Sequence, residues 1–182
     1  HDVDRNLITD EARNMLDQIK SRDAVNDLFG DYWKRSIVEN RLLNYGNFVN
    51  KYFGKHLVFN NDQYFYVQKR RIAGKQIAIW GLNSALACSS DADRLNLFLG
   101  EHQVRNAIDL AGIADIHSGL VHHPFDWLQD FDRNTCEALL LRHCHFILRG
   151  HLHEPRFLHE QTPGTDAMVI AGGACYESRA YP

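Results

Sequence analysis

Apolar positions near the N-terminus recur with a helical period. Ala12, Met15, Leu16 and Ile19 follow i, i+3, i+4, i+7 spacing, and Asp10 and Glu11 fall in the first turn, where a helix favours negative charge. Ser21 is placed to cap a second helix carrying Ala24, Val25, Leu28 and Phe29, which Gly30 ends. A longer helix is predicted from about Asp31. Trp33, Ile37, Leu42, Tyr45, Val49, Tyr52 and Phe53 mark its buried side, and Gly54 stops it.

Further along, the period changes. "YFYVQKRRIAGKQIAIWGLNSAL" reads as a hairpin, Tyr64 to Ile72 pairing with Gln76 to Leu82 across a turn at Ala73-Gly74. Residues 91–112 return to a helical pattern. "HSGLVHHP" is a strand running into a loop at His122, His123 and Pro124. Asn134 to Leu141 is a short helix, His145 to Leu148 a strand ending at Gly150, and Met168 to Ala171 a strand before Gly172-Gly173. Helices followed by alternating helix and strand predict an α/β fold. There is no internal repeat and no low-complexity segment.

Composition narrows the function classes. A chain of 182 residues, 45% hydrophobic, can bury one sizeable core. The net charge of −3 argues against a protein that binds nucleic acid by bulk electrostatics. The charge is uneven. Residues 1–75 hold thirteen Lys/Arg against ten Asp/Glu and residues 76–182 seven against thirteen, with every Lys in the first part. Lys69, Arg70, Arg71 and Lys75 form a basic cluster, read first as the solvated face of the hairpin and second as a phosphate patch. Trp33, Tyr45 and Tyr52 are read as helix core before a stacking platform for bases. Cys88, Cys136, Cys144 and Cys175 lack CxxC spacing and fit a reducing, cytoplasmic setting. No stretch approaches the roughly 18 apolar residues of a membrane span. The chain opens at His1 without Met, so its N-terminus reads as cut.

Histidines carry the candidate chemistry. Most of the eleven crowd between His117 and His159. In Gly150-His151-Leu152-His153, an extended backbone would aim both imidazoles to one side and Leu152 into the core, with Gly150 allowing a sharp exit from the strand. Two neutral imidazoles on one side make a metal pocket. "LVHHPFDW" is a second strand that ends in His, and neighbouring strand ends are where α/β proteins build sites.

With "HDVDR" at the N-terminus, these segments resemble the bacterial branch of the calcineurin-like metallophosphoesterase superfamily. "HDVDR", "GLNSA", "LVHHPFDWL" and "LRGHLHE" follow in the family's order. His1-Asp2 stands where Gly-Asn-His-Asp ends, His122 where the lone His falls, and Gly150-His151-Leu152-His153 where the family has Gly-His-x-His. The Asp-x-His and Gly-Asp-x-x-Asp motifs, and the Gly and Asn before His1, are absent. The resemblance therefore implies a C-terminal portion of the catalytic domain, spanning 1–182 as one partial domain. Residues 8–54 would be a helical insertion, and 62–182 part of a four-layer α/β/β/α sandwich.

The implied activity is hydrolysis of phosphomonoesters or phosphodiesters with two divalent ions, Mn, Fe, Zn or Co. His122 and His151 would hold one ion and His153 the other. His1 would move a proton, with Asp2 orienting it. Arg5, Asn83 and His123 would face the substrate, His123 by hydrogen-bonding or lining the pocket. Arg5 serves equally as a salt bridge within its loop, and Asn83 equally as a cap for its own turn. By the resemblance the substrate is a phosphorylated small molecule or nucleotide, with nucleic acid unsupported and no membrane involved. Three ligands split between two ions imply that the segment alone is inactive. Two rivals stand beside this reading: a non-catalytic binding or scaffold module on the same fold, and a protein binding a single ion through histidines.

Overall fold

A computed structural model describes residues 3–54, 65–90 and 92–173. The expectations for His1, Asp2 and Cys175 lie outside these residues.

The first helices form as their caps predict. α1 (Asp10–Asp17) begins where the Thr9 hydroxyl accepts the Ala12 amide at 3.1 Å. α2 (Arg22–Gly30) begins where Ser21 accepts that of Ala24 at 3.2 Å. The long helix expected from Asp31 is broken. Asp31 caps α3 (Tyr32–Glu39), a tight 3-10 turn covers Asn40–Leu42, and α4 (Leu43–Phe53) follows. A 3-10 turn advances each residue by about 120° rather than about 100°, so the apolar stripe shifts between α3 and α4. Leu42 and Val49 are buried, whereas Trp33 is 72% exposed, Tyr52 60%, Tyr45 48% and Phe53 47%. The aromatic residues expected as helix core are therefore on the surface. Arg41 accounts for the break. It is buried, and its guanidinium donates to the carbonyls of Val38, Leu86 and Cys88.

Six strands form one mixed sheet in the order β1-β2-β3-β4-β6-β5. β1 (Tyr66–Ile72) and β2 (Lys75–Leu82) are the expected hairpin, with Ile72 opposite Lys75. Both turn residues, Ala73 at φ 49° and Gly74 at φ 80°, take the positive φ that suits a two-residue hairpin. β2, β3 (Ile116–Val121), β4 (Phe146–Arg149) and β6 (Thr165–Ala171) run parallel. β5 (Arg156–Thr162) was not foreseen. It pairs antiparallel with β6 across Pro163-Gly164, where Gly164 has φ 90°. Arg156, His159, Glu160, Gln161 and Thr162 make β5 a polar edge strand without an apolar signature, but Pro-Gly was a readable turn signal.

α5 (Glu101–Ala111) and α6 (Asp130–His143) cover one face of the sheet. Trp80, Val121, Ile147 and Val169 are buried there, and Gly119 leaves space for Leu140 and Cys144. Alternation puts Leu120, Leu148, Ile170 and Phe157 in one row on the opposite face. Phe157 is 72% exposed there and Leu148 38%, while Leu120 and Ile170 are half-buried. The chain is thus a mixed α/β protein built on one six-stranded sheet among its described residues. No helix among them is long and apolar enough to cross a membrane.

The helix expected over 91–112 starts only at Glu101, and the two amides just before it are captured by a carboxylate of α6. Asp93 accepts from the amides of Ser89 and Ser90. Asp132, fully buried on α6, accepts from Leu99 at 2.6 Å and Gly100 at 3.1 Å, and Cys136 donates to it. Burial raises the Asp132 carboxyl above the ordinary value, and these donors pull against that rise. Asp132→Ala orphans two buried amides and should lower unfolding stability by about 3 kcal/mol in urea titration. A change under about 0.5 kcal/mol would show that water or backbone replaces the carboxylate.

Candidate metal centre

The carboxyl ends of β2, β3 and β4 bring the site together. Val121 pairs with Arg149, so the next residues, His122 and Gly150, leave the sheet side by side, and the Gly150 amide donates to the His122 carbonyl at 3.1 Å. One residue on, the His151 imidazole reaches His122, with His151 Nδ1 and His122 Nε2 3.2 Å apart. The rings stand nearly perpendicular, at 84°.

His123 is the third member. Expected to hydrogen-bond or line the substrate pocket, it is 1% exposed. Its ring centroid lies 4.6 Å from that of His151 and 4.8 Å from that of His122. Ligand atoms of His122, His123 and His151 all lie within 4.8 Å of one another. Ser84, two residues past β2, fixes the His123 ring. Its hydroxyl sits 2.9 Å from His123 Nδ1 and also accepts the His123 amide at 3.1 Å. The Cys88 thiol lies 3.6 Å from His123 Nε2. Trp127 walls the group, its ring 4.3 Å from that of His151 and 6.0 Å from that of His123. Pro124 and the 3-10 turn Phe125–Trp127 bring the indole back over the histidines.

The Gly-His-Leu-His segment departs from its expected geometry. The backbone is left-handed at His151 (φ 71°) and His153 (φ 60°), whereas Gly150 has no positive φ. The Leu152 amide donates to the Gly150 carbonyl at 3.0 Å, folding a tight turn around His151. The two histidines therefore do not alternate as in a strand, and Leu152 is 45% exposed instead of buried. His153 is exposed and stands outside the three-histidine group. Left-handed backbone at a residue with a side chain costs about 1–2 kcal/mol, and such strain gathers at functional sites.

Two other candidates, Arg5 and Asn83, bond to the scaffold. The Arg5 guanidinium donates to the Ser90 carbonyl at 3.1 Å. Asn83 caps its own turn, its Oδ1 accepting the Ala85 amide at 2.9 Å. Its amide donates to Gln103 Oε1 and its carbonyl accepts from Gln103 Nε2, tying the loop to α5. Asn83 also borders a cleft of about 560 Å³ that His122, Tyr45, Tyr66 and Leu120 line. Tyr66 lies flat over Gly81, where a Cβ would come within 2.1 Å of its ring. Burial raises the Tyr45 and Tyr66 phenols, so both stay neutral at physiological pH.

Reading the sequence alone missed two contributors: Ser84, two residues past β2, and Trp127, four residues past His123. Their spacing is visible in "GLNSA" and "HHPFDW", but only the fold shows that both meet His123. No family model matches the chain, and none of the curated proteins compared with it matches either.

Proposed function

We propose that the protein hydrolyses phosphoester bonds with the help of divalent metal ions held at the carboxyl edge of the sheet. The observation that supports this most is the meeting of His122 and His151. A tetrahedral ion bonded to imidazoles at about 2.0–2.1 Å separates their nitrogens by about 3.3–3.4 Å. The 3.2 Å between His122 Nε2 and His151 Nδ1 fits that edge. Bound ions would supply Lewis acidity toward a phosphoryl oxygen and lower the pKa of a water.

The chain's own residues have separate tasks in this reading. His122 and His151 hold an ion. Trp127 excludes water from one side of the histidines. The cleft beside His122 receives the ester's organic group against Tyr45 and Tyr66. His1, by its resemblance to the family's non-ligand histidine, moves a proton to the leaving oxygen, with Asp2 orienting it. His153 is the expected ligand of a second ion, for which the described residues offer no further group.

The test uses the protein expressed from its whole reading frame. It should hydrolyse p-nitrophenyl phosphate or its bis ester with Mn²⁺ and lose that activity to a chelator. His1→Ala should lower kcat by roughly 10²–10⁴-fold while metal content stays constant, the signature of a lost proton-transfer group. Absence of turnover with any of Mn, Fe, Zn or Co, in a protein shown by mass spectrometry to be loaded, would favour the non-catalytic module.

A further inference from the structure

We propose that His122, His123 and His151 together bind one transition-metal ion, with His123 as the third ligand through Nε2 and Ser84 as the residue that positions it. This rests on the metal site read above but not on its hydrolytic chemistry. The resemblance assigns His122 and His151 to an ion and leaves His123 to the substrate. Geometry points elsewhere. His123 is 1% exposed, and its ring lies 4.6 Å from that of His151, closer than the 5.1 Å of His122. Its Nδ1 faces the Ser84 hydroxyl at 2.9 Å. A metal-bound histidine characteristically gives its other ring N–H to such an oxygen, which fixes the tautomer and leaves the far nitrogen's lone pair for the ion. The contact of Nε2 with the Cys88 thiol, at 3.6 Å, is a weak one that an ion replaces.

Three further features agree. Two backbone segments deliver the ligands, and the Gly150 amide bond to the His122 carbonyl locks their exits together. Trp127 shields the group from one side, so imidazoles compete with less water for the ion. The strained turn at His151 points its ring toward the other two. Three neutral nitrogens suit Zn²⁺, Co²⁺, Ni²⁺ or Cu²⁺ and suit Mg²⁺ or Ca²⁺ poorly.

The experiment strips the protein with a chelator and titrates it with Co²⁺, read by visible absorption, and with Zn²⁺, read by calorimetry. At least one ion per chain should bind with the intense visible bands of low-coordinate Co²⁺. His123→Asn keeps an amide facing Ser84 but removes Nε2, and should weaken this site at least about 100-fold. Ser84→Ala should weaken it about 10-fold, the size of a lost orienting bond. His159→Ala, on the edge strand, should change nothing. Circular dichroism confirms that each variant is folded, and His123→Gln replaces His123→Asn if the latter is not. Wild-type affinity in a folded His123→Asn or His123→Gln protein overturns the proposal, as does a stripped protein that binds no ion. Binding as described, without phosphoester hydrolysis by the loaded protein, upholds the proposal and removes the catalytic reading alone.

Discussion

His151→Ala should abolish most Mn²⁺-dependent turnover of p-nitrophenyl phosphate, by more than about 100-fold, and should lower the metal content of the purified protein. Losing a group that merely orients a ligand costs about 10–100-fold, so losing a ligand should exceed that range. The substitution also separates site from scaffold. Alanine retains a Cβ, so it meets the same backbone cost at φ 71° that histidine meets. Folding stability should therefore change little while the rate collapses. His151→Gly removes that cost and should raise stability by about 1 kcal/mol, with the same loss of activity. Unchanged metal content and unchanged rate in His151→Ala would remove His151 from the site and the phosphoesterase reading with it.

Arg41→Ala should have the largest effect on the fold, lowering unfolding stability by about 4 kcal/mol. Its guanidinium is buried and donates to three carbonyls, those of Val38, Leu86 and Cys88. Each buried acceptor left unmatched costs about 1–3 kcal/mol, and a cavity adds to that. Arg41→Lys should recover little, because one ammonium cannot span the fork that reaches both Leu86 and Cys88. The effect should also reach the histidines. Cys88 lies against His123, and Ser84 opens the same loop, so loosening Leu86–Cys88 should weaken Co²⁺ binding in the folded fraction. Denaturant titration and Co²⁺ titration of the same sample check both effects. Stability within about 1 kcal/mol of wild type would mean that solvent reaches the three carbonyls.

Local physics that needs few distant partners was legible in the sequence. Ser21 caps α2 as read, and Ala73-Gly74 turns the hairpin as read. β3, β4 and β6 each form where a short apolar run was read, although α6 extends beyond both predicted ends. His122 and His151 could be named because each follows the end of an apolar strand, and parallel pairing of those strands makes the two histidines neighbours.

Tertiary structure decided the rest, wherever a side chain's partner lies far along the chain. Arg41 breaks the predicted long helix through carbonyls more than forty residues away, and that break turns Tyr45 and Tyr52 outward. Asp132 takes the Leu99 and Gly100 amides that a helix over 91–112 would have used. β5 exists because β6 offers it an edge, not because its own residues alternate. His123 joins His122 and His151 because Ser84, thirty-nine residues earlier, holds its ring. The left-handed turn that separates His153 from His151 follows from where β4 ends, and spacing alone cannot supply a backbone angle. Sequence determined the first two helices, the hairpin and the parallel strands that follow it, and it named His122 and His151, because strand periodicity and capping act over a few residues. The fold determined which third side chain meets them, because burial and hydrogen bonding act between residues that only the folded chain brings together.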